Sequence, residues 1–397
     1  MKQWEWLETL AVHPPHGPLQ PGEPLVAPLD LSTSFQVGPD AGFTAGGQEA
    51  KASLVYARWG NPTVHALERH LASLERAEDA LCFGSGMAAI SALLLHHAGK
   101  GRHVVASNIC YAGAAELLHR LIADYGLAVT FVDSSDEQAV ASAVSAKTSL
   151  VYIETPANPI LRLSNIQALA RIAHEAGAKL AVDSTFATPV ATRPIEHGAD
   201  FVLHSLTKYM SGHGDALGGV IAGPGDAISR LRSSELVHLG AVLHPMAAWL
   251  ITRSIQTLPL RMERHQANAF AVAQFLESHP SVGQLFYPGL ASHPQHALAR
   301  AQMDNYSGML AFRTERSDEV KRRLASGGGV ISYALSLGKT KSLIFYVETS
   351  EVQNQSFHLP GGEYEKYRSW AGDGVFRMSV GLEHPDDIID ELGRALD

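Results

Sequence analysis

Apolar residues recur at helical spacing directly after the triplet Asn61-Pro62-Thr63: Val64, Leu67, Leu71 and Leu74. Asn is a preferred residue at a helix N-cap, and Pro suits the first turn. This pattern therefore predicts a helix that begins at the triplet.

Further along the chain, short apolar runs alternate with helical segments. Five of these runs are predicted as buried strands: 103–106, 129–132, 150–153, 180–182 and 201–203. The alternation predicts an α/β domain with a mostly parallel central sheet and helices on both faces. Ligands bind beyond the carboxyl ends of such strands. Here those ends carry Glu154, Asp183 and the run 205–208.

The same patterns divide the chain into three segments. Residues 1–59 are rich in Pro and Gly and lack helical periodicity, which predicts an extended N-terminal arm. Residues 60–257 carry the alternating pattern and end in a predicted helix around 249–258. Residues 258–397 mix short strands with helices and end in an acidic helix from Pro385, which predicts a smaller C-terminal α/β domain.

Composition narrows the class of partner. The 397 residues are 46% hydrophobic, and 40 acidic residues outweigh 31 basic ones to give a formal charge of -9. This balance argues against a dominant nucleic-acid or membrane surface and favours small molecules and further copies of the chain. The two cysteines, Cys82 and Cys110, are too few for a disulfide framework. Since no secretory signal or apolar run of membrane length occurs in the sequence, the cytoplasm is the expected compartment.

Residues with candidate binding or catalytic roles lie at the ends of the predicted strands. Lys208 follows two hydroxyl residues, Ser205 and Thr207, which could bind a phosphate while the amine reaches an aldehyde. Asp183 could hold a protonated pyridine nitrogen through a charge-assisted bond. The turn at 84–87 precedes a helix of small residues whose free N–H groups could grip a phosphate dianion. These parts predict a site for pyridoxal phosphate.

Two further residues extend this site. Tyr111 could stack on the cofactor ring and exchange a proton with a leaving group, and the planar fork of Arg377 suits a substrate α-carboxylate. Taken singly, each candidate has an ordinary structural explanation: a solvated lysine, a capping aspartate, a packed tyrosine or a surface salt bridge. The prediction therefore depends on their occurrence together.

Seven motifs carry a family resemblance: YARWGNPT at 56–63, SGMAA at 85–89, ETPANP at 154–159, VDSTF at 182–186, HSLTKY at 204–209, TLPLRMER at 257–264 and RMSVGLE at 377–383. In this order and spacing they resemble the Cys/Met-metabolism family of fold-type I pyridoxal-phosphate enzymes. That family includes methionine γ-lyases, cystathionine lyases and synthases, and O-acylhomoserine sulfhydrylases.

The resemblance implies a role for each candidate. Lys208 would be the Schiff-base lysine, Asp183 the pyridine partner and Tyr111 the stacking ring. Tyr56 and Arg58 would reach the phosphate of the neighbouring subunit, which implies an obligate dimer, usually paired into a tetramer. The other implied cofactor ligands are Gly86, Met87, Asn158, Thr185, Ser205 and Thr207, with Glu154 as a supporting carboxylate. The implied substrate-side residues are Gly113, Leu335, Ser336 and Arg377.

The implied reaction is γ-elimination from an amino acid. Lys208 would remove the α-proton and help remove a β-proton, and Tyr111 would take part in protonating the γ-leaving group. The outcome is either 2-oxobutanoate with ammonia, or γ-replacement if a thiol or sulfide captures the unsaturated product.

Four residues bear on the substrate. Cystathionine-handling members commonly have Glu where Leu335 stands, so an apolar residue favours a distal group without a cation. Methionine γ-lyases often have Cys at the position of Gly113, which weakens that assignment. Lys339 and Lys341 could favour an acidic side chain such as O-succinylhomoserine, although solvated lysines are the simpler interpretation. A methionine-like or homocysteine-like substrate ranks first, γ-replacement on O-acetylhomoserine or O-succinylhomoserine second, canavanine stays open, and β-elimination from cystine or cystathionine ranks lower.

Other protein classes remain as alternatives. An aminotransferase could use the same Lys208 and Asp183, and a non-catalytic cofactor-binding protein could retain them. A zinc enzyme is disfavoured because the sequence contains no His-Glu-x-x-His motif and no paired Cys-x-x-Cys motif, so no metal is expected.

Overall fold

The computed structural model describes residues 5–15, 21–39, 54–99 and 101–397, and two β-sheets organise this part of the chain. The strands of the larger sheet are β1 Asp79–Phe83, β2 His103–Ser107, β3 Ala128–Val132, β4 Thr148–Glu154, β5 Lys179–Asp183, β6 Phe201–Ser205 and β7 Gly219–Gly223. The strands of the smaller sheet are β8 Gln284–Phe286, β9 Met309–Arg313, β10 Ser332–Tyr333, β11 Leu343–Glu348 and β12 Gly374–Ser379.

Helices cover both sheets. Before β8 the α-helices of the described chain are α1 Leu7–Val12, α2 Pro62–Glu75, α3 Gly86–His97, α4 Ala112–Tyr125, α5 Glu137–Ala143, α6 Ile166–Glu175, α7 Thr188–Ala191, α8 Gly225–Leu231, α9 Val237–Leu239, α10 Pro245–Ile255 and α11 Leu258–Ser278. After β8 they are α12 His296–Gln302, α13 Ser317–Ala325, α14 Thr349–Val352, α15 Gly361–Ala371 and α16 Pro385–Leu396. Of these described helices, none combines the length and the apolar character that crossing a membrane requires.

The larger sheet has the strand order β1-β7-β6-β5-β4-β2-β3. β7 runs antiparallel to both of its neighbours, and the remaining pairs are parallel. All five strands predicted from the apolar runs are present, with bounds that differ by at most two residues at either end. The predicted α/β class with a mostly parallel central sheet is therefore confirmed. The sequence pattern did not identify β1 and β7.

The predicted helix start at Asn61 is confirmed. The Asn61 side chain accepts hydrogen bonds from the N–H groups of Thr63 and Val64, at 2.9 and 3.3 Å. Its amide also donates to the Asp30 carbonyl at 3.0 Å. One side chain therefore caps α2 and fixes the incoming arm against it.

The prediction that the whole arm is extended is wrong for α1. This helix packs on α2, with Leu10 and Ala11 buried and the Leu10 carbonyl 2.9 Å from Nε2 of His70. Burial of these apolar side chains stabilises a helix too short to show clear periodicity. Residues 1–4, 16–20 and 40–53 of the predicted arm, which include most of its glycines, lie outside the described residues.

The prediction of one helix around 249–258 is also wrong, because α10 ends at Ile255 and α11 begins at Leu258. Pro259 explains the break: it has no N–H to donate, and its ring would collide with the carbonyl four residues earlier. Pro is tolerated in the first turn of a new helix, which is where α11 places it.

The smaller sheet has the order β10-β11-β12-β9-β8 and packs against α11 and α16, the acidic helix predicted from Pro385. The segment between β11 and β12 belongs to the hydrophobic core of the larger sheet. Phe357, Leu359 and Tyr367 are buried in the same apolar cluster as the larger sheet. The C-terminal segment therefore packs tightly on the domain that precedes it, and the boundary at residue 257 stays a prediction.

Replacement of Asn61 by Ala should lower the unfolding temperature by about 1 °C, since a lost N-cap costs about 1 kcal/mol and the entropy of unfolding grows with chain length. It should also speed proteolysis within the arm, because the anchor to Asp30 is lost. Asn165→Ala is the matched control: Asn165 caps α6 through the Ala168 N–H but does not touch the arm. Thermal unfolding and limited proteolysis check this, and equal arm cleavage in both variants would contradict it.

Candidate active site

The carboxyl ends of β4, β5 and β6 open into a cavity of about 590 Å³. The predicted site residues that line it are Gly86, Met87, Tyr111, Glu154, Asn158, Asp183, Thr185, Ser205, Thr207, Lys208, Leu335, Ser336 and Arg377. Residues more than 200 positions apart in the chain thus meet in one cavity. Tyr56, Arg58 and Gly113 were also predicted and are not among its lining residues.

Lys208 lies just beyond β6 and donates from Nζ to the Ser336 hydroxyl at 3.0 Å. Burial, together with the smaller effect of the positive charges of Arg377 and Lys339, lowers the pKa of its ammonium to about 8. A substantial fraction of the amine is then neutral near physiological pH, as a nucleophile or base requires.

Asp183 is the last residue of β5, and one of its carboxylate oxygens, Oδ1, accepts two hydrogen bonds from Thr185. Thr185 donates to Oδ1 from its N–H at 3.0 Å and from its hydroxyl at 2.6 Å, while the Thr185 hydroxyl accepts the Ser205 N–H at 2.9 Å. Burial raises the pKa of Asp183. A cationic pyridine N–H at the cavity side would satisfy Oδ2 and restore the ionised form, so this carboxyl fits the predicted cofactor.

The N-terminus of α3 also lines the cavity, next to the end of β6. A Cβ on Gly86 would lie 2.9 Å from the Ser205 Cβ, and a Cβ on Gly219 would overlap the Ser85 carbonyl oxygen. These two positions therefore have to be glycine for the helix N-terminus to approach the end of β6. The backbone N–H groups beside the Ser205 hydroxyl offer the donors that a phosphate dianion needs. Thr207 stands next to them, its hydroxyl accepting the Gly218 N–H at 3.2 Å.

Arg377 crosses from the smaller sheet to the cavity. Its guanidinium donates to the Asn158 side-chain oxygen and to the Ser336 carbonyl, both at 3.1 Å. Burial lowers the pKa of Arg377 to about 10, which leaves it charged at neutral pH. Ser336 itself has φ 94°, a left-handed conformation that few non-glycine residues adopt. Strain of this kind is typical of functional sites.

Glu154 connects these groups. Its Oε1 accepts the Asn158 N–H at 2.9 Å, and its Oε2 accepts the Tyr111 N–H at 2.5 Å. Burial raises its pKa, and the charge of nearby Asp183 acts in the same direction. The carboxyl group therefore fixes the backbone of two predicted cofactor ligands.

Tyr111 stands at the mouth of the cavity with 45% of its surface exposed. Gly113 packs under this ring: a Cβ there would lie 2.9 Å from Cε1 of Tyr111 and 3.1 Å from the Met87 sulfur. Gly113 therefore contacts the ring without lining the cavity. Any side chain at this position would have to displace Tyr111 or Met87.

Tyr56 and Arg58 do not line the cavity of their own chain and contact each other and Val237 instead. Arg58 donates to the Val237 carbonyl at 2.7 Å, and its guanidinium lies 5.8 Å from the Tyr56 ring centroid. Both side chains remain partly accessible on one surface.

Several residues of the site were not predicted from the sequence. Apolar residues complete the wall: Ile90, Phe186, Leu203, Leu217 and Leu337. Buried Arg261 donates to the Tyr209 carbonyl at 2.6 Å and so holds the chain directly after Lys208. Its place in the TLPLRMER motif was the available signal. The described residues contain no group of three or more side chains suited to a metal.

Covalent capture of pyridoxal phosphate by the apoprotein should become faster as the pH rises through about 8, because only the neutral Lys208 amine attacks an aldehyde. Stopped-flow absorbance between about pH 6 and 11.5 checks this, with Nα-acetyl-lysine as the unshifted reference amine. A midpoint near the ordinary lysine value of 10.5 would show that the cavity does not lower the pKa.

Comparisons with known proteins agree with this geometry. Residues 8–397 match the model of the Cys/Met metabolism PLP-dependent enzyme family. An L-methionine gamma-lyase of Pseudomonas putida is 39% identical over 98% of this chain and 96% of its own. A canavanine gamma-lyase of Pseudomonas canavaninivorans is 40% identical over 87% of this chain and 85% of its own.

More distant comparisons point the same way. A cystathionine gamma-lyase of Dictyostelium discoideum is 37% identical over 94% of this chain and 93% of its own. The crystal structure of metB from Corynebacterium glutamicum superimposes with a TM-score of 0.88 at 31% identity, covering 99% of this chain and 98% of that one. The chain therefore belongs to the Cys/Met-metabolism family of pyridoxal-phosphate-dependent enzymes, as the seven motifs predicted.

Proposed function

We propose that this enzyme is a γ-elimination lyase that converts a methionine-like, homocysteine-like or other γ-substituted amino acid into 2-oxobutanoate, ammonia and the leaving group. The observation that carries the proposal is the link that Ser336 makes between Lys208 and Arg377: its hydroxyl accepts from the Lys208 amine, and its carbonyl accepts from the Arg377 guanidinium. Three relatives in this family that are 37 to 40% identical are named as γ-lyases, which supports it.

The residues would divide the work by their position. Ser205, Thr207 and the N–H groups of Gly86 and Met87 would hold the cofactor phosphate, and Asp183 with Thr185 the pyridine nitrogen. When bound at Lys208, the cofactor supplies a sink for the negative charge that develops beside the substrate amine.

The remaining groups would act on the substrate. Arg377, fixed by Asn158 and Ser336, would bind the α-carboxylate. Lys208 would take the α-proton, since its lowered pKa leaves a usable fraction of free amine. The Tyr111 hydroxyl at the cavity mouth would supply a proton to the γ-leaving group. Glu154 would keep Tyr111 in place through its backbone N–H.

Two alternatives stay within the same chemistry. γ-Replacement on O-acetylhomoserine or O-succinylhomoserine differs in that a thiol or sulfide adds at the γ-carbon in place of the departed group, before the amino group is lost, and the cavity mouth is open to such a reactant. Elimination from canavanine is favoured by the 40% identity to a canavanine gamma-lyase. A packed Gly113 and an apolar Leu335 permit each of these.

Product analysis by mass spectrometry separates these candidates. The holoenzyme is given L-methionine, L-homocysteine, L-cystathionine, L-canavanine or an O-acylhomoserine, each with and without sulfide. We expect 2-oxobutanoate without sulfide. Formation of homocysteine from an acylhomoserine only with sulfide would show a replacement enzyme instead. Lys208→Ala is the control, since it should retain some cofactor but lose all turnover.

We also propose a homodimer with shared active sites, paired further into a tetramer, in the cytoplasm. Tyr56 and Arg58 are not among the residues that line their own cavity, and the arm exposes Leu25 at 90% and Val26 at 66%. Apolar surface of this kind is typical of an interface. Light scattering should give a multiple of the 42.6 kDa chain mass. A monomeric holoenzyme with full activity would contradict the shared site.

A further inference from the structure

A second lysine stands beside Lys208. The segment that follows the cavity residues 335–337 runs along the loop after Lys208, and the Thr340 N–H donates to the Gly212 carbonyl at 2.9 Å. That loop returns to the cavity at Leu217. Lys339 is thus held between two segments that line the cavity, although it is not itself one of the lining residues.

The Lys339 side chain is held in one direction. It lies over Gly214, where a Cβ would be 2.6 Å from Cε and 2.9 Å from Nζ of the lysine. Gly214 has φ +75°, so glycine suits both its backbone and the space that the lysine occupies. The half-buried side chain therefore does not extend freely into solvent as exposed Lys341 does.

Among the described residues, no negatively charged side chain pairs with the Lys339 ammonium. Its charge contributes to the lowered pKa of Lys208. The two carboxylates of the cavity, Glu154 and Asp183, already accept hydrogen bonds from other groups. A half-buried cation beside two others is unfavourable unless an anion joins them.

We propose that Lys339 is a specificity-determining residue that selects substrates by the charge of the γ-substituent. It favours a γ-substituent that ends in a carboxylate, as in a homoserine half-ester of a dicarboxylic acid, and disfavours one that ends in a cation. This inference rests on the proposed function, because it assigns the α-carboxylate to Arg377 and leaves Lys339 for the distal group. Leu335, 67% exposed at the cavity mouth, offers no carboxylate that could pair with a distal cation.

The test compares three substrates that differ in terminal charge: O-succinyl-L-homoserine, O-acetyl-L-homoserine and L-canavanine. In Lys339→Gln, kcat/KM for the succinyl ester relative to the acetyl ester should fall about tenfold, the size expected for one charge-assisted contact. The value for canavanine relative to the acetyl ester should rise. Any change in the Lys208 pKa affects all three substrates and cancels in these ratios.

Lys341→Gln is the matched control, because it removes the same charge two residues away on an exposed side chain. It should leave both ratios within about twofold of wild type, since exposed charges are screened. Unchanged ratios in Lys339→Gln, or equal changes in both variants, would overturn the proposal.

Binding of analogues without a leaving group separates this proposal from the proposed lyase activity. L-2-Aminopimelate, L-norleucine and L-arginine end in an anion, an apolar group and a cation, and their affinities follow from the change in cofactor absorbance. If wild type turns over none of the three substrates and neither L-methionine nor L-homocysteine, the lyase proposal fails, and the affinity ratios still decide the role of Lys339. Loss of the preference for L-2-aminopimelate in Lys339→Gln but not in Lys341→Gln supports the role of Lys339. The same affinity ratios in wild type and in both variants contradict that role.

Discussion

The buried carboxylate of Glu154 is the contact on which the rest of the site depends. Its two oxygens accept the backbone N–H groups of Tyr111 and Asn158, and the Asn158 side chain in turn accepts from Arg377. The strand β4, the loop before α4 and the smaller sheet are thereby joined at one point. Because burial raises the pKa of this carboxyl, its position in the fold is tolerable only while these donors and the charge of Arg377 stay close.

Close backbone approach is the second constraint. Gly86 and Gly219 permit the start of α3 to approach the end of β6, where neither position has room for a Cβ. The same approach brings the helix N–H groups, the Ser205 hydroxyl and the Lys208 amine to one side of the cavity. These groups would then hold the phosphate and the aldehyde carbon of one cofactor.

Much of this arrangement follows from local sequence. Apolar runs predicted five strands, and an Asn-Pro pair predicted the start of α2, because strand burial and helix capping are local properties. The strands β1 and β7 were missed, since β7 is only Gly-Val-Ile-Ala-Gly and gains its strand character from neighbours. The break between α10 and α11 also has a local signal, because Pro259 cannot lie inside a continuous helix. The helix α1 depends on burial against α2, which no local pattern could reveal.

The site shows the same division. Residues with distinctive chemistry, such as Lys208 and Asp183, were predicted because their motifs are specific, whereas Ile90 and Leu217 in the wall lie outside the seven motifs and carry no signal of their own. In the proposed assignment, the charged core of the cavity would bind parts common to all amino-acid substrates, so residues around it, such as Lys339, would distinguish one substrate from another. A change of one charge at the rim alters recognition of the distal group, while the groups that hold cofactor and α-carboxylate need not move.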